Sequence, residues 1–294
     1  MIESKAVQWP SGTEPYPAIE LEAFRTKVVT RGQELYRDLP WRRTQDPYEV
    51  WISEVMLQQT QVSRVDGRWQ KWLERFPTVA DLARASQADV LEEWQGMGYN
   101  RRALSLLRSS QIIHDAGTFP HTQRELVALP GIGPATAAGI RAFAFNEPGV
   151  YLETNVRTVF LHELFPEEEG VSDSRLNPLV EAACPRDDAR SWYYALLDFG
   201  AWLKRKVPNP SRRSRNHVRQ TRFEGSHRQK RAMVLRLVLD ARTQGVDAKL
   251  VAEALSFEEA RCGRPHVSMG DAHDLLLELA REGFCREHDG RWFA

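Results

Sequence analysis

Apolar positions recur every three to four residues along most of the chain, which is the spacing of one face of an α-helix. The pattern predicts a helix from about Leu21 and a second helix that begins after Asp46-Pro47. Further helices are predicted over residues 79–94, 100–115, 122–128, 134–145, 154–165, 174–183 and 190–204. Because alternating strand patterns are scarce in this region, we expect a mainly α fold.

The remainder of the chain has a different pattern. Three helices are predicted over residues 227–294, followed by two short strands around the Asp289-Gly290 turn. This order is typical of a winged helix, although a helical cap that packs on the body fits it equally well. We therefore expect an extended leader (1–20), a main domain (21–204), an irregular basic connection (205–226) and a small C-terminal domain (227–294).

Charge is distributed unevenly, although the formal net charge is zero. From Lys204 to Arg231 the chain has eleven Lys or Arg residues and one acidic residue, Glu224. Such tracts are usually solvated surface or flexible arms. Contact with nucleic-acid phosphates is their natural use in a binding protein, and Arg212, Arg213 and Arg215 are the candidate residues.

The sharpest local pattern is Leu129-Pro130-Gly131-Ile132-Gly133-Pro134-Ala135-Thr136-Ala137, between two predicted helices. Pro134 suits a first helical position, where its missing N–H costs nothing. Gly131 and Gly133 allow backbone N–H groups to approach a phosphate, and the following helix adds the positive end of its dipole. We expect this turn, with Thr136, to bind the DNA backbone without recognising sequence.

Several other blocks stand in the order of one known family. They are Leu39-Pro40-Trp41-Arg42, Asp46-Pro47-Tyr48, the run from Trp51 to Val62, and Trp94-Gln95-Gly96-Met97-Gly98-Tyr99. Over roughly residues 30–204 the chain resembles the helix-hairpin-helix (HhH-GPD) DNA glycosylase superfamily, and within it the adenine glycosylases. The resemblance implies a two-lobed helical fold and excision of a base from DNA.

Two carboxylates are the candidate catalytic groups. Glu54 lies among apolar residues, so it is either a core-edge residue paired with an arginine or an acid with a raised pKa. By resemblance it matches the general acid that protonates the leaving base. Glu153 matches the family's aspartate, which stabilises the sugar cation, but it is one methylene longer. From the residues alone, Glu153 is equally well explained as a helix N-cap, and both roles are compatible.

The resemblance also implies DNA contacts. Gln58 and Gln59 match the position of the wedge that fills the space of the flipped base, and Tyr99 matches an aromatic residue near the opposite base. Asn155 matches the family's asparagine after the acid. Without the resemblance, the glutamines would be ordinary helix-surface residues and the tyrosine a core-edge residue.

Two family features are missing. Glycosylases that also cut the strand have a lysine in the hairpin, where this chain has Ala135, so we expect hydrolysis by water without strand cleavage. The family's iron–sulfur cluster needs four closely spaced cysteines, and its first ligand position is Lys204 here. The three cysteines, Cys184, Cys262 and Cys285, are dispersed, so we expect no cofactor and no metal.

The preferred hypothesis is a monofunctional DNA glycosylase of base excision repair that removes adenine opposite G or 8-oxoguanine. The string from Gln58 to Gln61 favours it. Glu153, Asn100 (where the adenine enzymes have a second tyrosine) and a C-terminal segment too short for the family's 8-oxoguanine-sensing domain favour thymine, uracil or another damaged base. A non-catalytic DNA-binding module is the third alternative. We expect a cytoplasmic, nucleoid-associated monomer whose partner is double-stranded DNA with a mispaired or damaged base, and no membrane association.

Overall fold

The computed structural model describes residues 21–215 and 222–294, and the predicted leader and residues 216–221 of the basic connection lie outside this range. The described chain is mainly helical, which confirms the predicted fold class. Its helices are α1 (Leu21–Leu35), α2 (Pro47–Leu57), α3 (Val62–Val65), α4 (Arg68–Arg75), α5 (Val79–Arg84), α6 (Gln87–Glu93), α7 (Arg101–Ala116), α8 (Gln123–Val127), α9 (Pro134–Phe145), α10 (Thr154–Leu164), α11 (Asp173–Ala183), α12 (Ala189–Lys206), α13 (His227–Asp240), α14 (Ala248–Arg261) and α15 (Met269–Arg281).

Three details differ from the predicted helices. The stretch 79–94 is two helices, because Ser86 leaves the helical conformation and its side chain caps α6 by accepting from the Asp89 N–H. The short helices α3 and α4 were not predicted, since neither is long enough to show a clear period. The basic tract is not wholly irregular, because α12 continues to Lys206 and Pro210–Arg213 form a 3₁₀ turn.

One compact unit contains residues 21–69 and 119–215 of the described chain. Its core is built from α1, α10, α11 and α12 around large aromatic side chains. The ring of Phe24 makes edge contacts with Phe160 at 5.1 Å and with Trp192 at 6.0 Å between centroids. Truncating a buried ring of this kind to alanine typically costs about 3–5 kcal/mol, so this cluster fixes the helices that carry the cavity described below.

A second compact unit contains residues 70–118 and 222–294. Here α13, α14 and α15 are followed by an antiparallel hairpin of β1 (Arg286–His288) and β2 (Arg291–Phe293), which confirms the predicted helices and hairpin. Val246, between α13 and α14, adds a bridge to Trp292. Within this unit, ion pairs join Arg242 to Asp89 and Arg101 to Glu282, so the C-terminal helices are tied to residues 70–118. Of the helices in the described ranges, none is long and apolar enough to cross a membrane.

Candidate active site

A cavity of about 590 Å³ opens in the first unit. Its walls come from the segment before α2, the C-terminal half of α2 and the loop after it, the start of α9, the α10 N-terminus and one face of α12. The predicted site residues among its lining are Glu54, Gln58, Gln59, Thr136, Glu153 and Asn155. Residues that lie more than a hundred positions apart in the sequence are thus brought to one cavity.

Glu54 is the acidic group on the cavity side of α2. The helix begins at Pro47, and the Asp46 side chain accepts from the N–H groups of Tyr48 and Glu49, which fixes the first turn. Glu54 is only 8% exposed, and burial, followed by the nearby charge of Glu153, raises the pKa of its carboxyl to about 8. A hydrogen bond from Tyr151 opposes this shift. Glu54 is therefore mostly protonated near neutral pH.

The side chains of Glu54 and Tyr151 meet in the space that Gly139 of α9 leaves open. A Cβ atom at this position would lie 2.2 Å from Glu54 Oε2 and 2.7 Å from Tyr151 Cε2. Glycine in a helix interior usually costs about 0.5–1 kcal/mol relative to alanine. The space above Gly139 is occupied by the carboxyl and the phenol ring, so any larger residue would displace them.

Glu153 is the N-cap of α10. One oxygen, Oε1, accepts from the N–H groups of Asn155 at 2.6 Å and Val156 at 3.2 Å. Burial raises the pKa of Glu153, while the positive charge of Lys204 and these backbone N–H groups oppose the rise. The N-cap role inferred from the residues is thus observed, and the same side chain also lines the cavity.

The hairpin borders the same cavity. Gly131 has φ of +78°, a conformation that favours glycine, and Gly133 is the N-cap of α9, with open space where a Cβ would lie. Gln58 Nε2 donates to Thr136 Oγ1 at 2.9 Å, which joins the end of α2 to the start of α9. Gln59 has φ of +53°, a strained conformation for a non-glycine residue that is most common at functional sites.

Arg42, which lines another part of the cavity, belongs to a buried ion pair. Arg42 binds both carboxylate oxygens of Asp198 at 2.7 and 2.8 Å, and Arg37 binds the same carboxylate. The Arg42 guanidinium lies 4.5 Å from the Tyr194 ring centroid, and that ring stacks on Phe143 at 4.5 Å. Arg42 Nε has no hydrogen-bond acceptor among the described residues. This part of the wall therefore presents aromatic surface that is held in place by a buried guanidinium.

The other predicted contacts lie elsewhere. Tyr99 belongs to the second unit, is 46% exposed and has φ of +50°. Arg212 and Arg215 are exposed, as expected for phosphate contacts. Arg213 differs, because its guanidinium donates to the backbone carbonyls of Leu161 in the last turn of α10 and of Phe165 and Pro166 just beyond it. Its contacts are those of a residue that stabilises the fold.

The cysteines do not fit an iron–sulfur cluster. Cys184 is buried in the first unit, whereas Cys262 is exposed and Cys285 is buried in the second unit. In residues 21–215 and 222–294, no group of three or more His, Cys, Asp or Glu side chains could hold a metal ion. Lys204, at the position of the first cluster ligand, instead donates to Asn155 Oδ1 at 2.7 Å.

The sequence alone did not identify Tyr151, Gly139 or Lys204 as site residues. Tyr151, two residues before Glu153, does not differ visibly from an ordinary core residue, and the sequence marks Lys204 only as the start of the basic tract and as the position of a cluster ligand in the family. Gly139 lies inside an Ala-rich helix, where its replacement by alanine would look harmless. Their roles depend on long-range contacts that no local pattern encodes.

Comparison with known proteins finds a family model that matches part of the chain, and several named relatives. Residues 52–177 match the HhH-GPD superfamily base excision DNA repair protein. The chain is also similar to proteins named adenine DNA glycosylase. It is 37% identical to the enzyme so named from Mycolicibacterium smegmatis over 169 residues, which are 56% of this chain and 58% of the relative. The identity to the Mycobacterium tuberculosis H37Rv protein is 36% over 183 residues, which are 60% of each chain. The identity to the Homo sapiens protein is 37% over 151 residues, which are 48% of this chain and 28% of the relative. The chain therefore spans less than two thirds of the length of these relatives.

Solved structures share the fold. A thermostable thymine-DNA glycosylase superposes with a TM-score of 0.55 at 23% identity, covering 62% of this chain and 86% of that one. Endonuclease III in a non-covalent DNA complex superposes with a TM-score of 0.54 at 18% identity, covering 63% and 87%. At such low identities the likeness concerns the fold alone, and it agrees with the helix-hairpin-helix glycosylase fold expected from the sequence.

Proposed function

We propose that the chain is a monofunctional DNA glycosylase that excises a mispaired or damaged base, with adenine opposite G or 8-oxoguanine the favoured substrate. The match of residues 52–177 to the HhH-GPD superfamily base excision DNA repair protein supports this proposal. The observation that carries the proposal is the pair of carboxylates Glu54 and Glu153 in one cavity, one held protonated and the other capped by backbone N–H groups. The adenine glycosylase relatives support the choice of base.

Glu54 is suited to general acid catalysis. Breaking the bond between a purine and C1′ of deoxyribose needs a proton on the leaving base, and a carboxyl with a pKa of about 8 carries that proton at neutral pH. Proton transfer from Glu54 to a ring nitrogen lets the base depart with the electron pair of the C1′–N bond. Tyr151 then stabilises the Glu54 carboxylate that remains, through the hydrogen bond already present.

Glu153 is suited to the second half of the reaction. Departure of the base leaves positive charge on the sugar, and a carboxylate facing that charge lowers the energy of the transition state. The backbone N–H groups at the α10 N-terminus hold one oxygen, Oε1, and leave the other for the sugar or for water. Water then adds its oxygen to C1′ and releases a proton, which gives an abasic site.

Ala135 supports a hydrolytic outcome. It lines the cavity at the hairpin position where bifunctional relatives have lysine, and a methyl group cannot form an imine with the sugar.

A panel of duplexes, each with one modified or mispaired base, tests the proposal. The panel contains A opposite G, A opposite 8-oxoguanine, T and U opposite G, and a fully matched control. Each duplex is incubated with the protein and analysed for strand cleavage with and without alkali. We expect cleavage of an adenine-containing mismatch that depends on alkali, because the product is an abasic site. Cleavage of the T or U duplexes alone would support the alternative substrate class, and binding without excision of any base would support a DNA-binding module.

A further inference from the structure

Lys204 in the last turn of α12 is placed differently from its basic neighbours. Its ammonium donates to Asn155 Oδ1 at 2.7 Å, and it lines the cavity with Glu153 and Asn155. Arg205 and Lys206, the next two residues, are exposed. One member of a basic tract is thus directed inward, where it contacts the segment that carries the second carboxylate.

The packing of α12 against α10 produces this contact. A Cβ at Gly200 would lie 2.2 Å from the backbone oxygen of Asn155, so the two helices can approach this closely only with glycine there. Lys204 follows Gly200 by four residues, which places both on the same face of α12. The close approach at Gly200 therefore brings the Lys204 side chain to the start of α10.

Other charged groups near Glu153 are already balanced. From the wall before α2, Arg37 and Arg42 share Asp198, and in α10 Arg157 is paired with Asp173. Neither Glu54, an acid that faces Glu153 from α2, nor Tyr151, a neutral phenol that hydrogen bonds to Glu54, supplies positive charge. Among the described residues, Lys204 makes no ion pair within 4.0 Å. It is the cation whose charge opposes the effect of burial on Glu153.

Resting on the glycosylase activity proposed above, we propose that Lys204 is a positioning residue, whose ammonium favours the ionised form of Glu153 and holds the Asn155 amide in the cavity. Because Oδ1 of Asn155 accepts from Lys204, the amide offers its N–H donors to a ligand. Glu153 remains the group that faces the sugar, and Lys204 acts through it.

Single-turnover excision across pH, measured for Lys204→Met and Lys204→Arg, tests the proposal. Lys206→Met is the matched control, because it removes the same charge from an exposed site on the same helix. The rate rises with pH as Glu153 ionises. We expect Lys204→Met to move this acid limb up by about one pH unit, that is, about a tenfold loss of rate on the acid side. Lys204→Arg restores most of the wild-type profile, and Lys206→Met leaves the limb in place. A Lys204→Met variant with the wild-type acid limb would overturn the proposal.

A measurement without DNA separates this proposal from the proposed function. In protein labelled with ¹³C-carboxyl glutamate, the resonance of Glu153 is identified by its loss in Glu153→Gln and titrated in the wild type, in Lys204→Met and in Lys204→Gln. We expect a higher pKa for Glu153 in both variants, and Lys204→Gln serves if Lys204→Met does not fold. An unchanged titration would refute the role of Lys204 even in an active glycosylase. Failure of the wild type to excise any base would refute the glycosylase proposal while this titration still decides the charge effect of Lys204.

Covalent chemistry at Lys204 would also contradict the proposal. If borohydride traps the wild-type protein on abasic DNA and Lys204→Arg abolishes the trapping, the amine is a nucleophile at C1′. We expect no trapped complex: burial lowers the pKa of Lys204, but the negative charge of Glu153 and the hydrogen bond to Asn155 Oδ1 favour the ammonium, which has no free electron pair.

Discussion

The Tyr151 phenol hydrogen bonds to the Glu54 carboxyl above the Cα of Gly139. Burial and the adjacent carboxylates raise the pKa of Tyr151 well above its ordinary value, so the phenol remains protonated and acts as the donor. The bond favours the ionised form of Glu54, whereas burial and Glu153 favour the neutral form. The pKa of about 8 results from these opposing effects. The space above Gly139 therefore influences whether Glu54 is protonated.

The pH dependence of excision follows from this balance. The reaction needs protonated Glu54, so the rate falls as pH rises through about 8. Tyr151→Phe removes a donor that stabilises the carboxylate, so the pKa of Glu54 rises and the alkaline limb moves to higher pH. Single-turnover rates from about pH 5 to about pH 10 measure both limbs. Tyr193→Phe is the control: it removes another buried hydroxyl, which bonds to the Gly149 carbonyl, the Tyr151 N–H and the Cys184 thiol, and it leaves the limb in place. An alkaline limb that moves down in Tyr151→Phe would contradict the assignment.

The same pKa affects folding stability. The folded-state pKa of Glu54 is raised above the ordinary value of 4.5, so its contribution is fully present below that value and is lost as pH rises through about 8. We expect the thermal unfolding temperature of the wild type to fall between about pH 5 and about pH 9 more steeply than that of Glu54→Gln, which cannot ionise at this position. Parallel curves for the two proteins would show that Glu54 does not titrate in this range.

Gly139→Ala tests the space between the acid and its partner. A Cβ 2.2 Å from Glu54 Oε2 forces the carboxyl or the backbone to move, so we expect a loss of about 1–3 kcal/mol in the free energy of unfolding and a strong loss of excision. Gly149→Ala is the matched control, because its nearest atoms lie at 3.7 and 3.8 Å, which is ordinary contact. Chemical denaturation measures the first effect and single-turnover excision the second. Equal behaviour of the two variants would refute the packing argument.

The helices and the hairpin could be predicted because their signals are local. Apolar spacing gave α7, α9 and α10 nearly to the residue, and the Gly131 to Thr136 string gave the turn between α8 and α9. Burial of Glu54 on an apolar helix was also visible in the sequence. Other features depend on packing between distant segments, such as the contact of Tyr151 with Glu54 and the direction of Arg213 toward backbone carbonyls. The packing of residues 70–118 with the C-terminal helices in one compact unit also depends on contacts between distant segments.

The purified protein is expected to contain no iron and to lack the visible absorbance of an iron–sulfur cluster. The chain has three cysteines where a cluster needs four, and Lys204 stands at the first ligand position. Iron is measured by a colorimetric assay on protein purified without oxygen, so that loss by oxidation is excluded. Stoichiometric iron would contradict the prediction, and it would then require ligands other than these cysteines.

The basic tract gives a prediction with an internal control. Replacing Arg212 and Arg215 by alanine should weaken binding to all duplexes alike and lower the slope of log affinity against log salt by about 2, because each phosphate contact contributes about 0.9. Arg213→Ala should leave that slope unchanged and lower the thermal stability, since three carbonyls at the C-terminal end of α10 and just after it lose a donor. Fluorescence anisotropy across a salt series and thermal unfolding measure the two effects. A selective loss for one lesion, with an unchanged slope, would contradict a backbone role for Arg212 and Arg215.

Glu54→Gln decides whether the buried carboxyl is the acid. Glutamine keeps the size and hydrogen-bonding capacity of the side chain but cannot transfer a proton as a carboxylic acid does. General acid catalysis contributes about 10²–10⁴-fold, so single-turnover excision should fall by that factor while duplex binding is retained. Glu49→Gln makes the same chemical change in the first turn of α2, outside the cavity lining, and should excise at the wild-type rate.

Glu153→Gln should also lower the rate, because it removes negative charge where positive charge develops on the sugar, but by a different route. The alkaline limb would persist in Glu153→Gln and vanish in Glu54→Gln, since only the latter lacks the titrating acid. If Glu54→Gln excises at the wild-type rate, its raised pKa reflects burial in a structural position, and the proton for the leaving base must come from another group in the cavity.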